Sequence, residues 1–156
     1  MTNEQKKNFT MRISQSNRTE LLVVLYDVCD CYLGEVETAK DYEEMKDAVH
    51  HAETILRYFR NTLDFQHEIA HLLDNLYEFM LRSLSMCIVK KDTKEIPALR
   101  RILHNVSSAY EKLAEKDDSA PLMTHTQQIY EGLTYGRNRM GETATGGNLE
   151  KRGFFA

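Results

Sequence analysis

The sequence predicts an all-α protein: an antiparallel up-down four-helix bundle with a short fifth helix, an extended N-terminal segment and a glycine-rich C-terminal tail. Four stretches place apolar residues at three- and four-residue steps, the period of a helix with one buried face. The connections between them are short, and a loop of about two to eight residues returns the chain alongside itself. Residues of helix-capping type, Asn17 and Asp41, open two of the stretches.

Residues 1–16 are polar, with Phe9, Met11 and Ile13 at every other position. That alternation fits an extended segment laid along a groove. Asn17 then opens the first helix, with Glu20 placed to reach back as in a capping box. In Glu20-Leu21-Leu22-Val23-Val24-Leu25-Tyr26-Asp27 the aliphatic side chains point almost all the way round the axis. Such a helix is surrounded by others, and the apolar pattern continues through Val28, Cys29, Tyr32, Leu33 and Val36, too long for an ordinary strand. It is expected to end near Ala39 and to stand at the centre of the bundle.

Asp41 caps the second helix, whose stripe is Met45, Ala48, Val49, Ala52, Ile55, Leu56, Phe59 and Leu63. After a break near Asp64 the third stripe runs through Ile69, Leu72, Leu73, Leu76, Tyr77, Met80, Leu84 and Cys87 to Lys90-Lys91, whose charges suit a helix C-terminus. The fourth helix is expected from Asp92 or Thr93, with Ile96, Leu99, Ile102, Leu103, Val106, Tyr110 and Leu113 inward. Pro97 is tolerable there only in the first turn, which implies a distorted start. Asp117 to Pro121 reads as a turn and Thr126 to Leu133 as a short fifth helix. Six of the seven glycines lie in the last 25 residues, so 132–156 reads as a tail beyond a 1–131 helical domain.

With 156 residues the chain can bury a core without staples, and its three cysteines form neither a redox pair nor a metal clip. A net charge of −4 supplies no basic excess for nucleic acid. The polar first residues and the lack of an apolar run near 18 residues argue against a leader or a membrane span, so a cytoplasmic protein is expected.

His67-Glu68-Ile69-Ala70-His71 literally matches HExxH, the helical zinc motif. On a helical wheel both histidines lie opposite Ile69, and Asp74 and Tyr77 stand where an extended zinc motif has glycine and histidine. Glu68-x-x-His71 with Asp47-x-x-His50 raises a di-iron bundle, yet His50 lies off its helix's inward stripe. His50, His71 and His104 are nominal phosphoacceptors that a solvated face explains as well. Glu43, Glu44, Asp47 and Glu53, mixed with Lys46 and Arg57, read as surface charge. No enzyme, cofactor or metal is expected. Apolar surface remains: Phe9, Met11 and Ile13 before the bundle, and Ile129, Tyr130, Leu133 and Tyr135 after it. These either dock on the bundle or cover a groove that a partner helix uses instead.

The Glu20 to Asp27 block resembles the opening helix of the flagellar secretion chaperones of the FliS family. A second block agrees in order: Leu63-Asp64, Glu68-Ile69-Ala70, Leu76-Tyr77-Glu78-Phe79-Met80, Arg82, Leu84 and Lys90-Lys91-Asp92. The likeness covers residues 9 to 115. Arg18 and Tyr110 depart from it, standing where the family often has proline and tryptophan, as does the tail. In such a family the two histidines are incidental flanks of the helix start.

The resemblance implies a soluble helical bundle that binds the C-terminal region of newly made flagellin, as a monomer or weak homodimer, with the export apparatus as a further partner. It implies a gate at Phe9, Met11 and Ile13 that yields to the client. It makes Leu22, Tyr26, Ile55, Phe59, Tyr77 and Met80 groove wall, adaptable in a chain with seven methionines.

Overall fold

The computed structural model describes residues 1–123, which form one compact unit. Five helices and no strand occur among the described residues: α1 Asn3–Gln15, α2 Arg18–Thr38, α3 Tyr42–Asn61, α4 Glu68–Lys90 and α5 Ile96–Ala114. The expected short helix at Thr126 to Leu133 and the tail lie outside the described residues.

The N-terminal segment is a helix, not the extended strand-like segment its alternation suggested. Thr2 accepts from the Gln5 backbone amide while the Gln5 side chain accepts from the Thr2 amide, a complete capping box. The Ser16 hydroxyl donates to the Arg12 carbonyl, one of the groups that α1 leaves open at its end, and the Ser14 hydroxyl donates to the Met11 carbonyl. α1 then folds back along α2, because the Met1 ammonium meets Glu35 and Arg12 meets Asp27 at 2.6 Å.

The other starts follow from their caps. Asn17 accepts from the Glu20 amide at 2.8 Å and donates its own amide to the Glu20 carboxylate at 2.9 Å. Asp41 accepts from the Glu44 amide at 2.9 Å. α4 ends where Lys91 turns left-handed at φ 52°, its amide donating to the Cys87 carbonyl. α5 begins later than Asp92 or Thr93: residues 92–95 form a turn, and Pro97 falls in the first helical turn, where its missing amide costs nothing.

α2 packs against α1, α3 and α5, and α4 packs against α3. The helix expected to be central is therefore central. One core unites Tyr26, Cys29, Leu33 and Val36 of α2 with Met45, Val49, Ala52, Leu56 and Phe59 of α3, Tyr77, Met80, Leu84 and Cys87 of α4, and Ile96, Leu99 and Leu103 of α5. Each such leucine stabilises the fold by about 2 kcal/mol.

α4 departs from its expected stripe at two places: Ile69 is 59% exposed and Leu72 66%. The helix buries Ala70, Tyr77, Leu81 and Leu84 instead, so its inward face is rotated from the line through Ile69. A small Ala70 at the inner position lets the helices approach, whereas apolar character alone does not distinguish an inner from an outer side chain.

Candidate functional site

Four aromatic rings bring four helices to one point. Tyr26 of α2 stacks on Phe59 of α3 with ring centres 4.3 Å apart, Phe59 lies 5.5 Å from Tyr77 of α4, and Tyr110 of α5 lies 5.5 Å from Tyr26. The Tyr26 and Tyr77 hydroxyls hydrogen-bond each other in the interior. Burial raises both phenols, Tyr77 to about 12 and Tyr26 further in the same direction, so both remain protonated and neutral near pH 7.

Of the expected groove wall, Tyr26, Phe59, Tyr77 and Met80 are core side chains, each no more than 2% exposed. Leu22 and Ile55 are half-buried and pack on that core from its edge. Of the gate residues, Phe9 and Ile13 are half-buried while Met11 is 47% exposed. The nine residues are thus divided between an outer layer and the floor beneath it.

A cleft of about 630 Å³ opens between α1, α2 and the end of α5, lined by Arg12, Ser16, Glu20, Val23, Val24 and Glu111 among others and by none of the nine expected residues. Arg12 is pivotal there. Its guanidinium sits 5.7 Å over the Phe9 ring and pairs with Asp27, joining an apolar gate side chain to an ion pair with α2.

The corner between α1 and α2 is tied to the far end of the unit. Ser16 and Asn17 are buried polar residues. Asn17 Nδ2 donates to the Asp117 carbonyl at 3.0 Å, Thr19 Oγ1 donates to the Asp117 carboxylate at 2.5 Å, and the Leu122 amide donates to the Ser16 carbonyl at 3.0 Å. Hydrogen bonds from Ser119 and Thr19 hold the Asp117 carboxyl below its usual range. Sequence reasoning missed Arg12, Asp27 and Asp117 as members of the site. A capping asparagine carries no sign of a second partner a hundred residues away.

The histidines make no comparable constellation. His67 is the N-cap of α4, with extended backbone at φ −107° and ψ 133°, so its side chain leaves the chain just before the helix that carries His71. Both are exposed, as are His50 and His104, and among the described residues no group of three or more His, Cys, Asp or Glu is placed to hold a metal ion. The α3 carboxylates act as surface charge: Glu43 pairs with Lys46 and Glu53 with Arg57, each at 3.8 Å. No described helix is long and apolar enough to cross a membrane.

No curated protein matches the chain. The family model described as flagellar protein FliS matches residues 1–117, which takes in all five helices and the Asn17 to Asp117 closure, and the chain therefore belongs to the FliS family of flagellar export chaperones.

Proposed function

We propose that this protein is a cytosolic export chaperone that binds the C-terminal region of flagellin, prevents its premature polymerisation and keeps it competent for secretion. The family match over residues 1–117 carries that reading. Flagellin's terminal segments expose apolar stripes when unpaired, and a helical groove suits such a stripe. α2 to α5 form an antiparallel up-down bundle in this reading, 1–131 the chaperone domain and 132–156 an appended tail. The protein acts as a monomer or weak homodimer, delivers its client to the export apparatus and catalyses no reaction.

In the proposed mechanism α1 is the gate. It is largely polar, and its hold on α2 rests on the Arg12–Asp27 and Met1–Glu35 pairs around half-buried Phe9 and Ile13. A client helix displaces Phe9, Met11 and Ile13 and meets Leu22 and Ile55. Tyr26, Phe59, Tyr77 and Met80 form the rigid floor that shapes the surface.

Isothermal titration with a peptide of about 40 residues from the flagellin C-terminus tests this, a length sufficient for an amphipathic helix in a groove. Submicromolar one-to-one binding, weakened in folded Leu22→Ala or Ile55→Ala variants, is the expected result. A peptide that gives no heat at high concentration with folded protein removes the client assignment.

A further inference from the structure

α2 turns one of its carboxylates toward α1. Asp27 is half-buried, and Arg12 at 2.6 Å is its only ion-pair partner among the described residues. Asp30 and Glu37 of the same helix receive the Arg100 guanidinium from α5 instead. α2 is thus neutralised from two sides, by α5 and by α1.

Phe9, Arg12 and Ile13 stand at the three- and four-residue steps of one helical face, and Phe9 and Ile13 are half-buried. α1 therefore presents to α2 an arginine set between two apolar side chains. When α1 leaves, Arg12 leaves with it. The adjoining cleft keeps its aliphatic side chains, Val23 and Val24, and its carboxylates Glu20, Glu111 and Glu115, but loses the one cation of its lining. The vacated face is apolar and anionic.

A helix that settled on Asp27 without a cation would take a half-buried carboxylate out of water unpaired, and an acidic residue there would add repulsion. The group that holds the gate therefore also sorts what replaces it. Competition sharpens the requirement. A tethered helix acts at an effective concentration of about millimolar order, so a rival that gave up the Asp27 pair would start further behind.

We propose that Asp27 is a specificity-determining residue: the partner is a basic amphipathic helix that sets a lysine or arginine against Asp27 in the place Arg12 vacates. That role rests on α1 being the gate, and on that reading the helix belongs to the C-terminal segment of flagellin. Phe9 to Ile13 is then an internal copy of the client's binding face. Exchange trades one ion pair for another.

Isothermal titration of the full chain with the flagellin C-terminal peptide tests this, with circular dichroism confirming that each variant is folded. Arg12→Ala and Asp27→Asn break the same pair, so they should act alike if Asp27 serves the gate alone. If it serves the partner too, Arg12→Ala should tighten binding by about two- to fivefold, while Asp27→Asn, which loses both pairs, stays within about twofold of wild type. In the Arg12→Ala background, Asp27→Asn should weaken binding by about two- to fivefold and Asp27→Glu by less. That loss should fade at about 1 M salt, where the screening length falls to about 3 Å. Asp27→Asn that tightens binding as Arg12→Ala does, that changes nothing in the Arg12→Ala background, or whose loss there ignores salt overturns the role of Asp27 and leaves the gate in place. A folded wild-type chain that binds no peptide, or Arg12→Ala at wild-type affinity, removes the gate itself and the role of Asp27 with it.

Discussion

Two tyrosine hydroxyls share one hydrogen bond in the core, and removing one of them strands the other. Tyr26→Phe or Tyr77→Phe alone should cost about 1–3 kcal/mol, because a buried hydroxyl loses its partner, while the double variant should be nearer to wild type. Urea denaturation of the four proteins measures this as a cycle, and strictly additive losses would show that the pair is not coupled. The pH dependence has a definite sign. Tyr77 rises by burial from 10.0 to about 12, so the folded state holds its proton more tightly than the unfolded chain does. Its contribution is complete below pH 10 and is lost as pH rises from 10 toward 12. The urea midpoint should fall in that window for wild type, and less so for the double variant. At this scale the sequence was informative where a residue's role is local, as with the Asn17 and Asp41 caps. It did not separate Tyr26, Phe59, Tyr77 and Met80 from outer residues such as Leu22 and Ile55, since apolar side chains of a floor and of a rim follow the same helical period.

Among the elements, α1 and α4 are where the sequence misled. The alternation of Phe9, Met11 and Ile13 suggested an extended segment, yet Thr2-x-x-Gln5 was a capping box in plain view and the polar residues between are compatible with a helix. In α4, Ile69 and Leu72 extend the inner stripe without joining it, because a helix with apolar residues on two adjoining faces reads as one broad stripe. α1 should be the least protected helix in hydrogen exchange, its amides exchanging faster than those of α2, since it buries little apolar surface. If it is the gate, Arg12→Ala should tighten flagellin-peptide binding by about two- to fivefold, the worth of one partly exposed ion pair. Unchanged affinity in a folded variant would mean that α1 is not displaced. α2 offers a separate test: Gly34 stands inside a helix, and a Cβ there would lie 3.7 Å from the Arg100 guanidinium, an ordinary contact. Gly34→Ala should therefore stabilise the protein by about 0.5–1 kcal/mol in thermal denaturation, while a loss would show that the Arg100 bonds to Asp30 and Glu37 had shifted.

Taken whole, the unit is closed by polar bonds between its ends as well as by its core. The four helices between Asn17 and Ala114 and the single core were readable from period and caps. The closure was not, since its partners lie a hundred positions apart and Asp117 sits in what reads only as a turn. Asn17→Ala removes the cap and the tie to Asp117 together and should cost about 2 kcal/mol, more than the roughly 1 kcal/mol of an ordinary cap. Urea midpoints of Asn17→Ala and Asn17→Asp separate the two parts, because aspartate keeps the cap and lacks the amide that donates to Asp117. Equal losses in the two variants would assign the whole effect to the missing donor.

The same tie sets an order on synthesis. While the chain leaves the ribosome, α1 and α2 emerge with Ser16 and Asn17 between them, but the groups that complete that corner, Asp117 and the Leu122 amide, come about a hundred residues later. At about 5–20 residues per second the corner waits several seconds, with α1 held to α2 only by the Arg12–Asp27 and Met1–Glu35 pairs and by Phe9 and Ile13. A nascent chain stalled before Asp117 should therefore lose its first fifteen residues to protease far faster than the released protein does.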